Sequence, residues 1–474
     1  MSGPARPSVR TVLVAALTGL LVASAGAVVT TGPSAATAAD ATSSYSPVAA
    51  KKKATNPVTP GDFTGYGFDQ CLTPSQATMD VWLEKSPFLA AGVYISGNSR
   101  FCRDQPNLTP TWVATQLAKG WRLLPITLGP QASCQPRFPR YNDDPTIIPK
   151  PGGNGRYPQA NTQGINEASS AVAAAQALGI VAGSTLWYDL EGYDSTNKDC
   201  RESALRFLSS WTERIHELGY VSGVYSSAGS GIKDLDDARV KRPGTFTLPD
   251  RIWVARWDGV ANTSTSYLRE DGWRPGGRVK QYQGGHDETW GGVKINIDRN
   301  FLEVGNGSTA PAETRCGGVR VSFRTYGALR SPKPGGKKPN KTRVKAMKCL
   351  LKENGVDVGR LNGVYNPKTV AAVRTWQARV GHPQSNAWTR KNWMSLLAAG
   401  TPTTLKYGTT GDAVRRLQRS LNALNPKTKL KVDGVFAGST ERAVAAYQAK
   451  LKQSSSGVVG NDTWSALAAG TRKR

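Results

Sequence analysis

Histidine is nearly missing from this chain. Only His216, His286 and His382 occur in 474 residues, which argues against a His-rich metal centre, and no metal or other cofactor is expected. Acidic residues are thin in the last third: Arg315 to Arg474 holds 31 Lys+Arg against 6 Asp+Glu, leaving 30 against 28 for residues 1–314. After Val29 no stretch approaches 18 consecutive apolar residues, so no stable membrane insertion is expected beyond the N-terminus. No Gly-rich phosphate loop supports a doubly wound sheet. No recognised nucleic-acid motif accompanies the positive charge, so nucleic acid is not expected as a partner.

What is present suggests several domains. A length of 474 residues corresponds to about three. A hydrophobic fraction of 39% with 20% charged residues is enough for packed cores. The net charge of +27 demands a polyanionic neighbour, and its confinement to the C-terminal third favours an electrostatic tether over a merely soluble surface. Arg6 and Arg10 precede an apolar run, Thr11 to Val29, and Ala36-Thr37-Ala38 offers a cleavage site. Residues 1–38 are read as a secretion signal, the alternative being a retained anchor. Residues 39–63 are a flexible leader, and residues 306–342 a basic linker with a Pro/Gly-rich stretch from Ser331 to Pro339. The six cysteines (Cys71, Cys102, Cys134, Cys200, Cys316, Cys349) follow the signal. An even count in an exported chain reads as disulfides with 15 possible pairings, the alternative being one catalytic thiolate.

The tail repeats itself at an offset of 71: Asn362-Gly363-Val364-Tyr365 matches Asp433-Gly434-Val435-Phe436, and Thr369 to Val373 matches Thr440 to Val444. Each unit, 343–401 and 405–471, reads as three short helices. In the second, Val414, Leu417, Leu421 and Leu424 fall at helical spacing. Ser439 and Asn461 are the expected caps of its later helices. The pattern Asp-Gly-x-Phe followed by Thr-x-x-Ala-Val-x-x-Tyr-Gln resembles the bacterial peptidoglycan-binding domain family. That resemblance implies a three-helix module holding the protein on the cell wall, with peptidoglycan and anionic wall polymers as partners.

Residues 64–305 alternate β-like and helical runs. Strands are predicted at Gly65–Cys71, Ala90–Ser96, Arg122–Leu128, Thr185–Glu191, Tyr220–Ser226, Arg251–Trp257, Arg278–Gln283 and Val293–Phe301. Helices are predicted at Pro74–Leu83, Thr111–Lys119, Asn166–Leu178 and Ser203–Leu218. Eight strands with helical crossovers point to an α/β fold, a (β/α)8 TIM-like barrel, followed by the pair of small all-α domains. The segment Gln131 to Asn161 would be an unusually long connection, of the kind that forms lids or specificity elements.

Acids gather at the expected strand ends. Asp69 ends the first strand, Asp189 and Glu191 the fourth, and Asp298 lies in the eighth. Alternation puts Asp189 and Glu191 on one face, roughly 7 Å apart at about 3.4 Å per residue, with Trp187 on the same face. Carboxyls crowded at one rim raise each other's pKa, so that one keeps a proton while another stays ionised, as glycoside hydrolysis requires. Tyr94, Tyr225, Trp253, Trp257 and Tyr282 are rim aromatics able to stack on sugars, and Asp258 is a weaker acid candidate. The alternative is that each acid is a helix cap or salt-bridge partner.

Gly67-Phe68-Asp69, Trp187-Tyr188-Asp189-Leu190-Glu191, Val224-Tyr225-Ser226, Gln281-Tyr282 and Ile297-Asp298-Arg299-Asn300 resemble the family 25 glycoside hydrolases. They are more similar still to the glycoside-hydrolase-like domain family that diverges from it. The resemblance implies Glu191 as general acid and Asp189 orienting the substrate or assisting its acetamido group. It also implies Asp69 and Asp298 lining the site, with Tyr94, Trp187, Tyr225, Trp257, Gln281 and Tyr282 as substrate contacts. The expectation is a secreted, monomeric, wall-associated glycan hydrolase of muramidase type. The alternative is a non-catalytic wall-binding protein with a degenerate barrel site.

Overall fold

A computed structural model describes residues 55–135, 144–332, 336–425 and 427–472. The expected secretion signal, most of the leader and positions 136–143 of the long connection lie outside the described residues.

The first strands and helices alternate as the periodicity predicts: β1 (Phe63–Asp69), α1 (Gln76–Lys85), β2 (Ala90–Ser96), α2 (Pro110–Ala118) and β3 (Arg122–Thr127). Ser75 and Thr109 accept hydrogen bonds from the first turns of α1 and α2, so the polar residue before each apolar run starts the helix. The long connection contributes a parallel pair, β4 (Gln131–Ala132) and β5 (Thr146–Ile147). Then come α3 (Pro158–Ala177), β6 (Thr185–Leu190), α4 (Lys198–Glu217), β7 (Val221–Ser227), α5 (Lys233–Lys241), β8 (Arg251–Ala255), β9 (Gly277–Trp290) and β10 (Val293–Val304).

Eight of these strands close into a barrel in the order β1-β10-β9-β8-β7-β6-β3-β2. The closure departs from an all-parallel barrel. β10 is antiparallel to both β9 and β1. Only Gly291 and Gly292 separate β9 from β10, both with positive φ (58° and 81°). Two residues make a hairpin and cannot make a parallel crossover, which needs a dozen or more. The expected helical crossover between the last two strands is therefore absent, and α1 reaches β10 instead, with Trp82 Nε1 donating to the Val293 carbonyl at 3.1 Å. The barrel interior is filled by Phe63, Leu124, Ile126, Trp187, Trp253, Val279 and Leu302. A second apolar layer joins strands to helices through Trp82, Trp121, Phe207 and Trp211.

All six cysteines are paired, as Cys71–Cys102, Cys134–Cys200 and Cys316–Cys349. A catalytic thiolate is thereby excluded. Cys134–Cys200 ties the long connection to the start of α4.

The tail folds as α6 (Lys341–Glu353), α7 (Pro367–Arg379) and α8 (Arg390–Ala398), then α9 (Asp412–Leu424), α10 (Gly438–Lys450) and α11 (Asn461–Ala468). A short ribbon, β11 (Leu329–Arg330) with β12 (Ala387–Trp388), joins the linker to the first unit. The linker is largely structural: Cys316, Val321, Tyr326 and Leu329 are buried in one apolar core with Trp393 and Leu417. The expected caps move by a residue or two. Ala437 and Gly460 occupy the N-cap positions of α10 and α11, and neither supplies a side-chain hydrogen bond, so Ser439 and Asn461 lie inside the first turns.

The second tail unit packs against β1 and β10. Tyr407 meets Tyr66 of β1 and Phe301 of β10 edge-on, with ring centroids 5.2 and 5.6 Å away. Buried Lys406 donates to the carbonyl of Phe88 at 3.0 Å.

Candidate active site

β1 ends on Asp69, and its antiparallel partner β10 places Asp298 directly opposite. Gln281, from β9, bridges them. Its Nε2 donates to Asp298 Oδ2 at 3.1 Å and to both oxygens of Asp69 at 3.3 and 3.4 Å. Its Oε1 accepts from Tyr225 Oη and Trp257 Nε1, each at 2.9 Å. With two donors on one side and two carboxyls on the other, the amide has one sensible orientation. Below it, Trp253 Nε1 donates to Asn300 Oδ1 at 2.8 Å, and Asn300 Nδ2 donates to Asp69 Oδ1 at 2.6 Å.

The other wall is the end of β6. Tyr94 Oη donates to Asp189 Oδ2 at 3.3 Å. Gln131, at the start of the long connection, donates to the Asp189 carbonyl and accepts from the Glu191 backbone amide, both at 2.9 Å. Asp69, Asp189, Glu191 and Asp298 thus line one cavity of about 400 Å³ together with Tyr94, Tyr225, Trp257 and Gln281. That volume is in the range of small-ligand sites.

Burial and crowding hold protons here. Burial, with the Asp69 and Glu191 charges behind it, pushes the Asp298 carboxyl up to about 8. Burial also raises Asp69, to about 6, against the lowering effect of hydrogen bonds from Asn300 and Gln281. The two carboxyls titrate as a unit, and burial with mutual repulsion keeps a proton shared between them toward neutral pH.

Two expected substrate contacts lie elsewhere. Trp187 faces inward like Asp189 but one layer deeper, fully buried and edge-on to Trp253 at 5.5 Å. Tyr282 follows Gln281, so alternation turns it out of the barrel, with Arg299, Glu288 and Glu441 among its neighbours. Trp253 is likewise core, and Asp258 pairs with the buried Lys280 at 3.0 Å. Sequence reasoning missed Gln131, Asn300, Arg100 and Phe101. Asn300 was recoverable, two residues after Asp298 on the same strand face. The others sit in connections, where no period marks a direction.

Residues 80–302 match the Rv2525c-like, glycoside hydrolase-like domain family, and residues 410–467 match the peptidoglycan binding domain family. The barrel is an Rv2525c-like, glycoside hydrolase-like domain. No curated protein matches the chain. Among solved structures, the glycoside hydrolase-like barrel is similar to the Tat-secreted protein Rv2525c of Mycobacterium tuberculosis in complex with L-tartrate. That match has 13% identity, covers 50% of this chain and 95% of that one, and has a TM-score of 0.33. The modular autolysin LytC of Streptococcus pneumoniae aligns at 13% identity over 50% of this chain and 46% of its own, with a TM-score of 0.31. The modular Cpl-1 endolysin, complexed with a peptidoglycan analogue, aligns at 13% over 51% and 55%, with a TM-score of 0.28.

Proposed function

We propose that the protein is a monomeric glycoside hydrolase, exported to the cell wall, that cuts the glycan strands of peptidoglycan. One observation carries this reading: four carboxyl groups share a sugar-sized cavity in which at least one keeps its proton at neutral pH. Hydrolysis needs a proton for the leaving oxygen and a carboxylate beside the positive charge that develops at the sugar carbon. Glu191 is assigned as the general acid at the glycosidic oxygen, drawing on the proton that the crowded carboxyls of the cavity retain. Asp189, oriented by Tyr94, holds the substrate or its acetamido group. Asp69 and Asp298 share a proton and set the charge of the site, and Trp257 and Tyr225 offer aromatic faces to the sugar.

Location follows from the tail and the redox state. Three disulfides suit an oxidising compartment. The peptidoglycan binding unit and the basic C-terminal third would hold the enzyme against wall polymers by salt-sensitive attraction.

The test is mass spectrometry of purified peptidoglycan digested by the wild type and by Glu191→Gln. New reducing ends from the wild type, reduced at least a hundredfold in the variant, are expected. Equal activity would remove Glu191 from the mechanism. Wall binding with no product at any pH would instead favour a non-catalytic sugar-binding barrel, a reading supported by the match to a hydrolase-like domain.

A further inference from the structure

A hollow of about 700 Å³ lies between the barrel and the second tail unit and shares no lining residue with the acid-rich cavity. The barrel supplies Glu84 and Lys85, at the end of α1, and Trp290, at the tip of the β9–β10 hairpin. The tail supplies the turn after α10 and the start of α11, including Gln453, Ser456 and Asn461. The volume is in the range of ligand pockets.

Both walls are held. Gly291, at positive φ, lets the hairpin turn close onto α1, since a Cβ there would stand 2.6 Å from Val81 Cγ1 and 2.9 Å from Lys85 Cγ. Trp290 Nε1 donates to Glu288 Oε1 at 2.7 Å, which fixes the ring. On the tail side Leu405 and Val459 exchange backbone hydrogen bonds at 3.0 and 2.8 Å. Lys406, beside Leu405, anchors that ribbon to the barrel.

The lining is unlike the tail around it. Its charged residues are Glu84, Lys85 and Asp462, two acids and one base, whereas Arg315 to Arg474 holds 31 bases against 6 acids. A polyanion drawn to the tail meets no cluster of cations here. What remains is hydroxyls, carboxamides and one indole face. Sugar hydroxyls donate and accept alike, so they suit such a wall, and an indole offers a plate for the apolar face of the ring. α11 starts on Gly460, which gives no side-chain cap. The N–H groups of its first turn, which lack intrahelical partners, are left for a ligand carbonyl such as an acetamido oxygen.

The corresponding place in the first tail unit is filled. Gln377 and Gln448, 71 positions apart, donate to the matching carbonyls of Ala387 and Val458 at 2.9 and 2.8 Å. By the same offset His382 stands for Gln453 and Lys391 for Asp462. There the chain after α11 occupies the space. His382 Nε2 meets the Ala469 carbonyl at 3.0 Å, and Gly470 packs on Lys391, where a Cβ would stand 2.5 Å from Cγ. Thr389 caps α8 from the position that Gly460 holds in α11.

We propose that the hollow between the hairpin and the second tail unit is a second glycan site, which takes a neutral acetamido sugar with its ring against Trp290 and performs no chemistry. Barrel and tail build it jointly, so the hairpin takes part in wall attachment. The site goes beyond the hydrolase reading and does not depend on it.

Calorimetric titration of the full chain carrying Glu191→Gln with a neutral N-acetylglucosamine tetramer tests this. Trp290→Ala and Asn461→Arg, on opposite walls, should each weaken one binding event roughly tenfold or more, and that event should be insensitive to salt. Asn461 is exposed, so its replacement keeps the test open if Trp290→Ala fails to fold. Arg390→Ala, at the matching position of the first unit, should change nothing. A poly(glycerol phosphate) chain is the second probe, and its binding should be salt-sensitive and weakened by neither variant. A titration with the tetramer that shows no binding, or that is unchanged by both variants, overturns the proposal. So does an effect of Asn461→Arg alone when Trp290→Ala is folded, because the barrel would then contribute nothing. Weakened poly(glycerol phosphate) binding in the variants would make the hollow an anion site and also overturn it. Hydrolysis is read separately, by reducing ends from the wild type. Sugar binding weakened by both variants in a protein that releases none keeps this site and sinks the hydrolase reading.

Discussion

Asp69 lies directly across the β1–β10 ladder from Asp298. The contact exists because the last strand enters the barrel backwards. The two-glycine hairpin reverses β10, and its pairing brings a mid-strand residue to the level of the end of β1. Two acids 229 positions apart in number become neighbours, and Gln281 holds both.

That pairing has a cost that should be measurable. The Asp298 carboxyl is raised from its ordinary value to about 8, so between roughly pH 4 and pH 8 the folded state binds a proton that the unfolded state has released. Stability should therefore fall as pH rises through that window. Asp298→Asn should flatten the decline and stabilise the protein by roughly 1–2 kcal/mol at pH 8, while reducing any hydrolytic activity. Thermal melting of wild type and variant from pH 4 to 9 checks this. Parallel curves for the two proteins would reject the assignment of the proton.

Gly92, on β2, lies under Asp69. A Cβ there would stand 2.5 Å from the Asp69 Cβ and 3.1 Å from Ile126 Cδ1. Neither atom can retreat, because Asp69 is held at its backbone by the β1–β10 ladder and Ile126 is in the barrel core. Gly92→Ala should destabilise by roughly 1–3 kcal/mol through overpacking. It should also displace Asp69 and lower turnover more than substrate binding. Melting temperature and a kcat-against-KM comparison test the two halves separately.

Lys406 tests how the tail is attached. It is buried against the barrel, donates to the Phe88 carbonyl and lies 5.7 Å from the centre of the Trp121 ring. Burial lowers its amine from the ordinary 10.5 to about 7. Between those values the unfolded state binds the extra proton, so stability should rise with pH from about 7 to about 10. Lys406→Met should remove a rise on the order of 1–3 kcal/mol across that range. Denaturant unfolding at pH 7 and pH 9 measures it, and an unchanged difference between the two pH values would count against the buried amine.

Much of this was legible locally. The strand predicted at Ala90–Ser96 has those bounds in the structure, and the others overlap theirs, because alternation and apolar runs are set by neighbours in sequence. The four acids were found the same way and do share a cavity. The errors have a common form. Trp187 and Asp189 have the same parity on β6, but one is packed in the core and the other lines the mouth. Parity tells in from out and says nothing of depth. Tyr282 is expected among the rim aromatics, but Gln281 beside it faces the cavity and adjacent strand residues face opposite ways.

By itself, the amino-acid order determined the alternation of strands and helices, the repeated helical units of the tail and the concentration of positive charge there. These depend on residues a few positions apart or on simple counting. Only the tertiary structure decided that the barrel closes with a reversed strand and that the second tail unit packs against β1 and β10. It alone brought Gln281, Asn300, Gln131 and Arg100 around the acids. Those outcomes depend on register between distant strands and on the depth of each side chain along the barrel axis, which are set when the sheet closes and its layers pack, and no short-range pattern encodes them.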